Sequence, residues 1–410
     1  MTSQRVLVFE PSLSGHRGYY AGIQAAALLR LGVEVELAVP EDALEQPEGA
    51  AFLGDVMPHV HHIALPRLTT GGSSMSIAKS RFDQLRSTIN DRRVNHCYVP
   101  YADGLAQVWG MQPRPSRLVS NDIAIEGLMM RGRFAYPQRS LREHASATLS
   151  YLSMRRAGFT RLHHLDPIAH RRIANVRVHR LIPEIIETND DGDARQARSR
   201  LGLDASSTVI TSPGAVTESK GCHRLLDAVA GLDREDRVQL VLIGKHSPEL
   251  RGRIAHLNDD RILSIDRFAT VQEFSDLFTA ADIVAACYPR HIGSSSIVLR
   301  AAAAGKPVLS SNWGWIGWAT DTFGLGRSCD AVDTNSIREA ILWLLREQPC
   351  QTNPDLMARR QQLIDYHQKD NHIAHWTDLL CTRLGIAPLP LRSMGQDVMP
   401  HRREAIRRGN

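Results

Sequence analysis

The chain has 410 residues, with 49 lysines and arginines against 44 acidic residues, a formal charge of +5, 43% hydrophobic residues and 23% charged residues. These proportions exclude a disordered chain, a collagen-like repeat and a small disulfide scaffold, and the length fits two domains of about 100–200 residues each. No apolar run approaches the roughly 18–20 residues of a membrane-spanning helix. The opening MTSQRVLVFE runs straight into a strand without a charged-then-apolar leader, so the sequence reads as cytoplasmic. Cys97, Cys222, Cys287, Cys329, Cys350 and Cys381 are scattered without a C-x-x-C pair and read as reduced thiols. Aromatic residues are only 6%, and with no basic helix or zinc pattern the sequence argues against a nucleic-acid partner.

In chain order, residues 6–9 form a continuous apolar run, read as a buried strand, and residues 12–18 a glycine-bearing loop. Residues 20–31 have helical periodicity and stop at Gly32, and residues 33–39 form a strand closed by Pro40. Further strands are expected at 61–65, 96–99, 117–120 and 160–165, with one long helix at 138–157. Residues 182–184 end this cycle, and residues 188–193 are too polar to pack. A second cycle follows, with strands at 208–211, 238–243, 261–265, 283–287 and 307–309. Helices are expected at 221–231 and 295–304, with a helical segment at 363–384.

This alternation predicts an α/β fold of two Rossmann-like, doubly wound domains facing across a cleft. The first covers 1–182, an interdomain linker and entry segment 183–207, and the second domain 208–362. C-terminal helices occupy 363–385. A flexible tail, 386–410, carries Arg392, His401, Arg402, Arg403, Arg407 and Arg408, a composition suited either to plain solvation or to an anionic membrane surface. Ligands of such sheets bind beyond the carboxyl ends of the strands.

Three loops there can carry chemistry. Ser14-Gly15-His16-Arg17-Gly18 lets backbone approach a ligand and precedes a helix N-terminus, although a simple tight turn reads equally well. His16 is either a polar wall or a general acid/base. In the loop 212–221, Lys220 stands where a helix begins, as a phosphate partner or a solvated lysine. The third loop, Pro289-Arg290-His291-Ile292-Gly293-Ser294-Ser295-Ser296, opens an alanine-rich helix and presents amides and hydroxyls suited to a diphosphate; serine capping of a buried helix is the alternative. His163-His164 with Asp166 does not suit a metal, because adjacent strand residues face opposite ways, and Asp191-Gly192-Asp193 reads as solvated linker. No G-x-S-x-G, H-E-x-x-H or Walker pattern occurs, which removes the best support for hydrolase and nucleotide-triphosphatase readings.

Pro213-Gly214 with Lys220-Gly221, Val241-Leu242-Ile243-Gly244, Ala280-Ala281-Asp282-Ile283-Val284 and the run from Leu299 to Val308 carry a resemblance. Over residues 214–345 the second half resembles the nucleotide-sugar-binding domain of GT-B glycosyltransferases, particularly the retaining, GT4-like group. The resemblance implies a hexosyltransferase-type enzyme of polysaccharide or glycoconjugate biosynthesis. It would move a sugar from a nucleoside-diphosphate sugar to a saccharide or lipid-linked acceptor held by the first domain. It further implies retention of configuration, no metal, no cofactor beyond the donor substrate, and peripheral work at the inner membrane face. Lys220 and His16 are then the catalytic candidates, and Gly15, Gly214, Gly293, Ser294, Ser295 and Ser296 the donor-diphosphate contacts. His291, Arg300, Asp103 and Glu126 are weaker candidates for donor or acceptor contact.

The group's Glu-x7-Glu signature is replaced here by Ile292 and Arg300, and the arginine that usually precedes its lysine by Ala215. An arginine cannot accept the hydrogen bonds of a ribose. Two readings follow: a divergent active transferase with rearranged donor contacts, or a nucleotide-sugar-binding protein of the same fold with impaired transfer. An epimerase or phosphorylase of this shape is a third.

Overall fold

The computed structural model describes residues 5–68, 72–92, 94–115, 122–173, 177–186, 192–347, 353–394 and 398–399. The chain divides into two units, residues 1–182 with 373–391, and residues 183–372 with 392–410.

The first unit holds seven parallel strands: β1 (Arg5–Phe9), β2 (Glu34–Pro40), β3 (His61–Leu65), β4 (His96–Val99), β5 (Ala124–Met129), β6 (Arg161–His164) and β7 (His179–Leu181). Their order across the sheet is β3-β2-β1-β4-β5-β6-β7, with Val8 opposite Leu37 on one side and Tyr98 on the other. After Arg5 every residue of β1 is buried, as expected of a strand covered on both faces. The connecting helices are α1 (His16–Arg30), α2 (Pro47–Leu53), α3 (Ser74–Asn90), α4 (Asp103–Met111), α5 (Leu141–Arg156) and α6 (Pro167–Arg172). Leu7, Phe9, Val99, Trp109 and Leu162 belong to an apolar cluster of its core.

The second unit repeats the plan with β8 (Thr208–Thr211), β9 (Val238–Ile243), β10 (Ile262–Ile265), β11 (Ile283–Ala286), β12 (Val308–Ser311) and β13 (Gly326–Cys329), ordered β10-β9-β8-β11-β12-β13 and all parallel. Its helices are α7 (Ala194–Leu201), α8 (Cys222–Ala230), α9 (Pro248–Leu257), α10 (Val271–Thr279), α11 (Ser296–Ala303), α12 (Gly314–Thr322) and α13 (Thr334–Arg346). Two more, Pro354–Tyr366 and Lys369–Leu384, follow. The last begins in the second unit and ends in the first, where Trp376 packs its ring 5.1 Å from that of Tyr98 and 4.9 Å from that of His163.

Several elements depart from the sequence pattern. Helix α1 starts at His16, so residues 16–18 form its first turn and not a loop. Helix α5 starts three residues late, because the Ser140 hydroxyl accepts the Glu143 amide and fixes the cap there. Asp193, read as solvated linker, caps α7 by accepting the Arg195 amide. Strands β5, β7 and β13 were not anticipated. The strand expected at 117–120, Asp191, Cys350 and the basic residues from His401 onward lie outside the described residues. The other five cysteines are buried thiols, and no helix among the described residues is long and apolar enough to cross a membrane.

Both sheets reverse their winding once, between β1 and β4 and between β8 and β11. At such a point the two loops leave the sheet in opposite directions and open a crevice. In the second unit this needs Gly221, whose φ is 69° and whose absent Cβ would lie 1.9 Å from the Cys287 carbonyl oxygen. Gly202 has the same φ of 69° with open space around it. Gly202→Ala is therefore expected to cost about 1–2 kcal/mol, the left-handed backbone alone. Gly221→Ala adds an overpacking cost of about 1–3 kcal/mol. Urea denaturation of the two variants measures the difference.

Candidate functional site

The reversal in the second unit gathers the loops after β8 and β11. Lys220 ends a short turn, Glu218–Lys220, and its Nζ lies 3.9 Å from the centre of the Tyr288 ring. Such a cation–π contact holds an ammonium in place without neutralising it. The Tyr288 ring is 5.5 Å from that of His291, whose Nε2–H donates to the Ser294 carbonyl at 2.8 Å. The structure thus brings Lys220, His291 and the Gly293–Ser296 turn together. Gly214 and Gly293 have φ of 101° and 95°. Ser295 is the N-cap of α11 but makes no side-chain capping bond, and the first turn of the helix carries no acidic residue. Nothing on the helix itself offsets the positive end of its dipole, so ammonium, amides and hydroxyls together suit an anion.

Glu184, which the motif reading missed, joins this cluster. Its carboxyl hydrogen-bonds the Ser294 hydroxyl, and burial, only partly offset by that bond, pushes it up to about 7. One signal was available: a lone carboxylate inside the apolar run Ile182-Pro183-Glu184-Ile185-Ile186. Arg300 is placed differently from the expectation of donor contact. Its guanidinium carbon lies 4.7 Å from the Phe278 ring and 4.9 Å from that of Phe274, so it packs on α10.

In the first unit, Gly15 (φ 67°) precedes α1 and His16 is exposed at the helix start. Beside them the Arg17 guanidinium lies 4.1 Å from the Tyr101 ring. Arg81 donates from Nη2 to Glu10 Oε1 at 2.8 Å and to the Tyr101 carbonyl at 3.2 Å. Asp103 accepts the Met130 and Arg131 amides at 3.0 and 3.3 Å, and burial, against those bonds, raises it to about 6. Burial likewise raises Glu10, opposed by Arg81 and Arg17. Arg81 comes from α3 and the other groups follow β1, β4 and β5; together they form a polar patch at the carboxyl edge of the first sheet. Glu10 and Arg81 were not anticipated, because 71 positions separate the partners.

Glu126 does not belong to that patch. It lies within β5, fully buried, where His96 Nε2–H donates to one carboxylate oxygen at 2.6 Å and His163 Nε2–H to the other at 2.7 Å. Burial favours its protonated form, but the two imidazoles outweigh it and hold the group down at about 2. The neighbouring His164 points to the opposite face, sharing a 2.8 Å hydrogen bond with His179. Because Glu126 is depressed from 4.5 to about 2, it contributes stability above pH 4.5 that is lost as the pH falls toward 2. Glu126→Gln should lower stability by about 3–5 kcal/mol at neutral pH and flatten the dependence over that acidic window. Denaturation midpoints measured between pH 2.5 and 7 check both.

Known proteins resemble this chain in one segment of sequence and in fold. Residues 207–347 match the model of a family described as glycosyl transferases group 1. A D-inositol 3-phosphate glycosyltransferase of Rhodococcus jostii (strain RHA1) is 30% identical over 167 residues, which span 38% of this chain and 36% of that protein. The sucrose-phosphate synthase of Thermosynechococcus elongatus superposes with a TM-score of 0.70 at 16% identity, covering 93% of this chain and 99% of the other. Anabaena HepE, solved in complex with UDP-glucose, gives 0.66 at 14% identity over 92% and 99%. The fold is that of GT-B glycosyltransferases. At these identities the superpositions speak for the fold alone, while the family match covers the segment that contains Lys220 and the Gly293–Ser296 turn.

Proposed function

We propose that the protein transfers a sugar from a nucleoside-diphosphate sugar to a saccharide or lipid-linked acceptor, in polysaccharide or glycoconjugate biosynthesis. The observation that carries this reading is the convergence of Lys220 with the uncapped start of α11 at the winding reversal of the second sheet. The match of that segment to group 1 glycosyltransferases supports it.

In the reaction the bond between the sugar C1 and the β-phosphate oxygen breaks, and the acceptor oxygen bonds to C1. The acceptor proton passes to the departing phosphate oxygen, which places entry and departure on one face and retains the configuration. Negative charge grows on the diphosphate as it leaves. A fixed ammonium and a helix N-terminus pointing at that charge stabilise it without reorganisation, and they do so without a divalent ion. In the first unit, Gly15 and His16 are candidates for substrate contact, and Asp103 with Glu10 for accepting acceptor hydroxyls. In the second, Gly214 and Ser294–Ser296 line the diphosphate.

A second reading, a binding protein that no longer transfers, is favoured by Ile292 and by the engagement of Arg300 with the α10 rings. Calorimetry and turnover with UDP- and GDP-sugars separate the two: binding without hydrolysis or transfer supports the second, and absence of all nucleotide binding overturns both. With a working donor, Lys220→Ala should lower kcat by about 10²–10³-fold, the loss typical of one preorganised charge-stabilising group. Lys220→Arg should recover part of it. Unchanged turnover in Lys220→Ala removes the assigned role.

A further inference from the structure

The stretch from Ile182 to Ile186 is buried along its whole length and its backbone is pinned. His367 Nδ1–H donates to the Glu184 carbonyl at 2.7 Å, the Ile186 amide donates to the His367 carbonyl at 3.0 Å, and His372 Nδ1–H donates to the Pro183 carbonyl at 2.6 Å. Glu184 therefore cannot move its carboxyl away from the Gly293–Ser296 turn by shifting its backbone. Its relative exposure is 9%, and Ser294 occupies one part of the carboxyl while Oε2 is buried without a hydrogen-bond partner among the described residues.

An ionised carboxylate with one hydroxyl donor is poorly solvated, and no ion pair to it forms among the described residues. The groups that contact this stretch are Ser294 on the turn, His367 just after one C-terminal helix and His372 on the other. Burial lowers His367 to about 4, so it is neutral near pH 7 and offers Glu184 no charge. A diphosphate in the turn would set two further negative charges beside this group. Ionised Glu184 would repel them. The neutral acid carries a proton on the orphaned oxygen and has no acceptor for it until a phosphate oxygen arrives.

We propose that Glu184 belongs to the diphosphate subsite and takes up one proton as a nucleoside-diphosphate sugar binds. The proposal rests on the reading of the turn as a diphosphate site. It gives the site a residue that senses ligand charge, positions Ser294, and makes donor affinity fall as the pH rises. Above the ionisation of the unliganded group, about 7, each pH unit should weaken binding by about tenfold, until the bound acid itself ionises.

Titration calorimetry with UDP-glucose, or with GDP-mannose if that is the sugar bound, tests this at pH 7.5 and 8.5 in Hepes and Tris, whose ionisation enthalpies differ. Both phosphates of these ligands are fully ionised across the range, so any proton taken up goes to the protein. The wild type should take up close to one proton at pH 8.5 and lose about tenfold in affinity between the two pH values. Glu184→Gln should show neither effect. Equal uptake in Glu184→Gln overturns the proposal. If Glu184→Gln fails to fold, infrared difference spectra of the wild type decide: a protonated-carboxyl band should rise on donor addition, and its absence overturns the assignment. A wild type that binds no nucleoside-diphosphate sugar removes the reading of the turn itself, and a wild type that binds one without proton uptake removes only the role of Glu184.

Discussion

The candidate donor site depends on one close approach, that of the backbone at Gly221 to the Cys287 carbonyl. The strand order brings the loops after β8 and β11 to the same edge of the sheet, but adjacency of strands does not set the spacing of the loops beyond them. That spacing is set by a residue without Cβ, in a left-handed conformation, where any side chain would strike backbone. From it follows the position of Lys220 one residue earlier, and of Tyr288 one residue after Cys287, so that the ammonium comes to lie on the ring. Local backbone geometry thus sets where the lysine ammonium lies.

The two units also show how burial and hydrogen bonding compete for a carboxyl. Glu126 and Glu184 are both taken out of water, and desolvation is the largest influence on each. Glu126 meets two imidazole N–H donors, one per oxygen, and ends well below its ordinary value. Glu184 meets one hydroxyl and ends well above it. A saturated buried carboxylate of the first kind locks three strands together and has nothing left to offer a ligand. The second kind is incompletely satisfied, which costs stability and is therefore most readily understood at a place where something else completes it. Asp103, with two amide donors and a value of about 6, stands between them.

The strand–helix alternation, the two winding cycles and the loops carrying Lys220 and Gly293–Ser296 were all legible, because parallel strands buried on both faces are written as continuous apolar runs. Strand β5 was not, since Glu126 and Gly127 interrupt its apolar character; the histidines that satisfy Glu126 come from β4 and β6, 30 and 37 positions away. The same blindness placed Glu126 in the candidate site and left Glu10 out. A carboxylate in a sequence carries no mark of whether its partners are protein or ligand. The start of α1 was misplaced for a related reason: a glycine-rich segment reads as loop, although His16–Gly18 already form the first helical turn.

The replaced signature is the sharpest conflict between the motif pattern and the structure. Arginine at 300 removes an acceptor of ribose or sugar hydroxyls, and its guanidinium is committed to the α10 rings. The proposed diphosphate cradle would use backbone, hydroxyls and one ammonium, none of which that replacement touches. If the chain descends from the group it resembles, the replacement removes carboxylate chemistry on α11 and in the loop before it, while Glu184 brings a carboxyl to Ser294 from a different part of the chain. A site can keep a chemical group while changing the element that delivers it, provided that the new element is held as firmly as the old. The bonds from His367 and His372 to the carbonyls of Glu184 and Pro183 meet that condition: an apolar stretch that would otherwise slide is fixed at two successive residues.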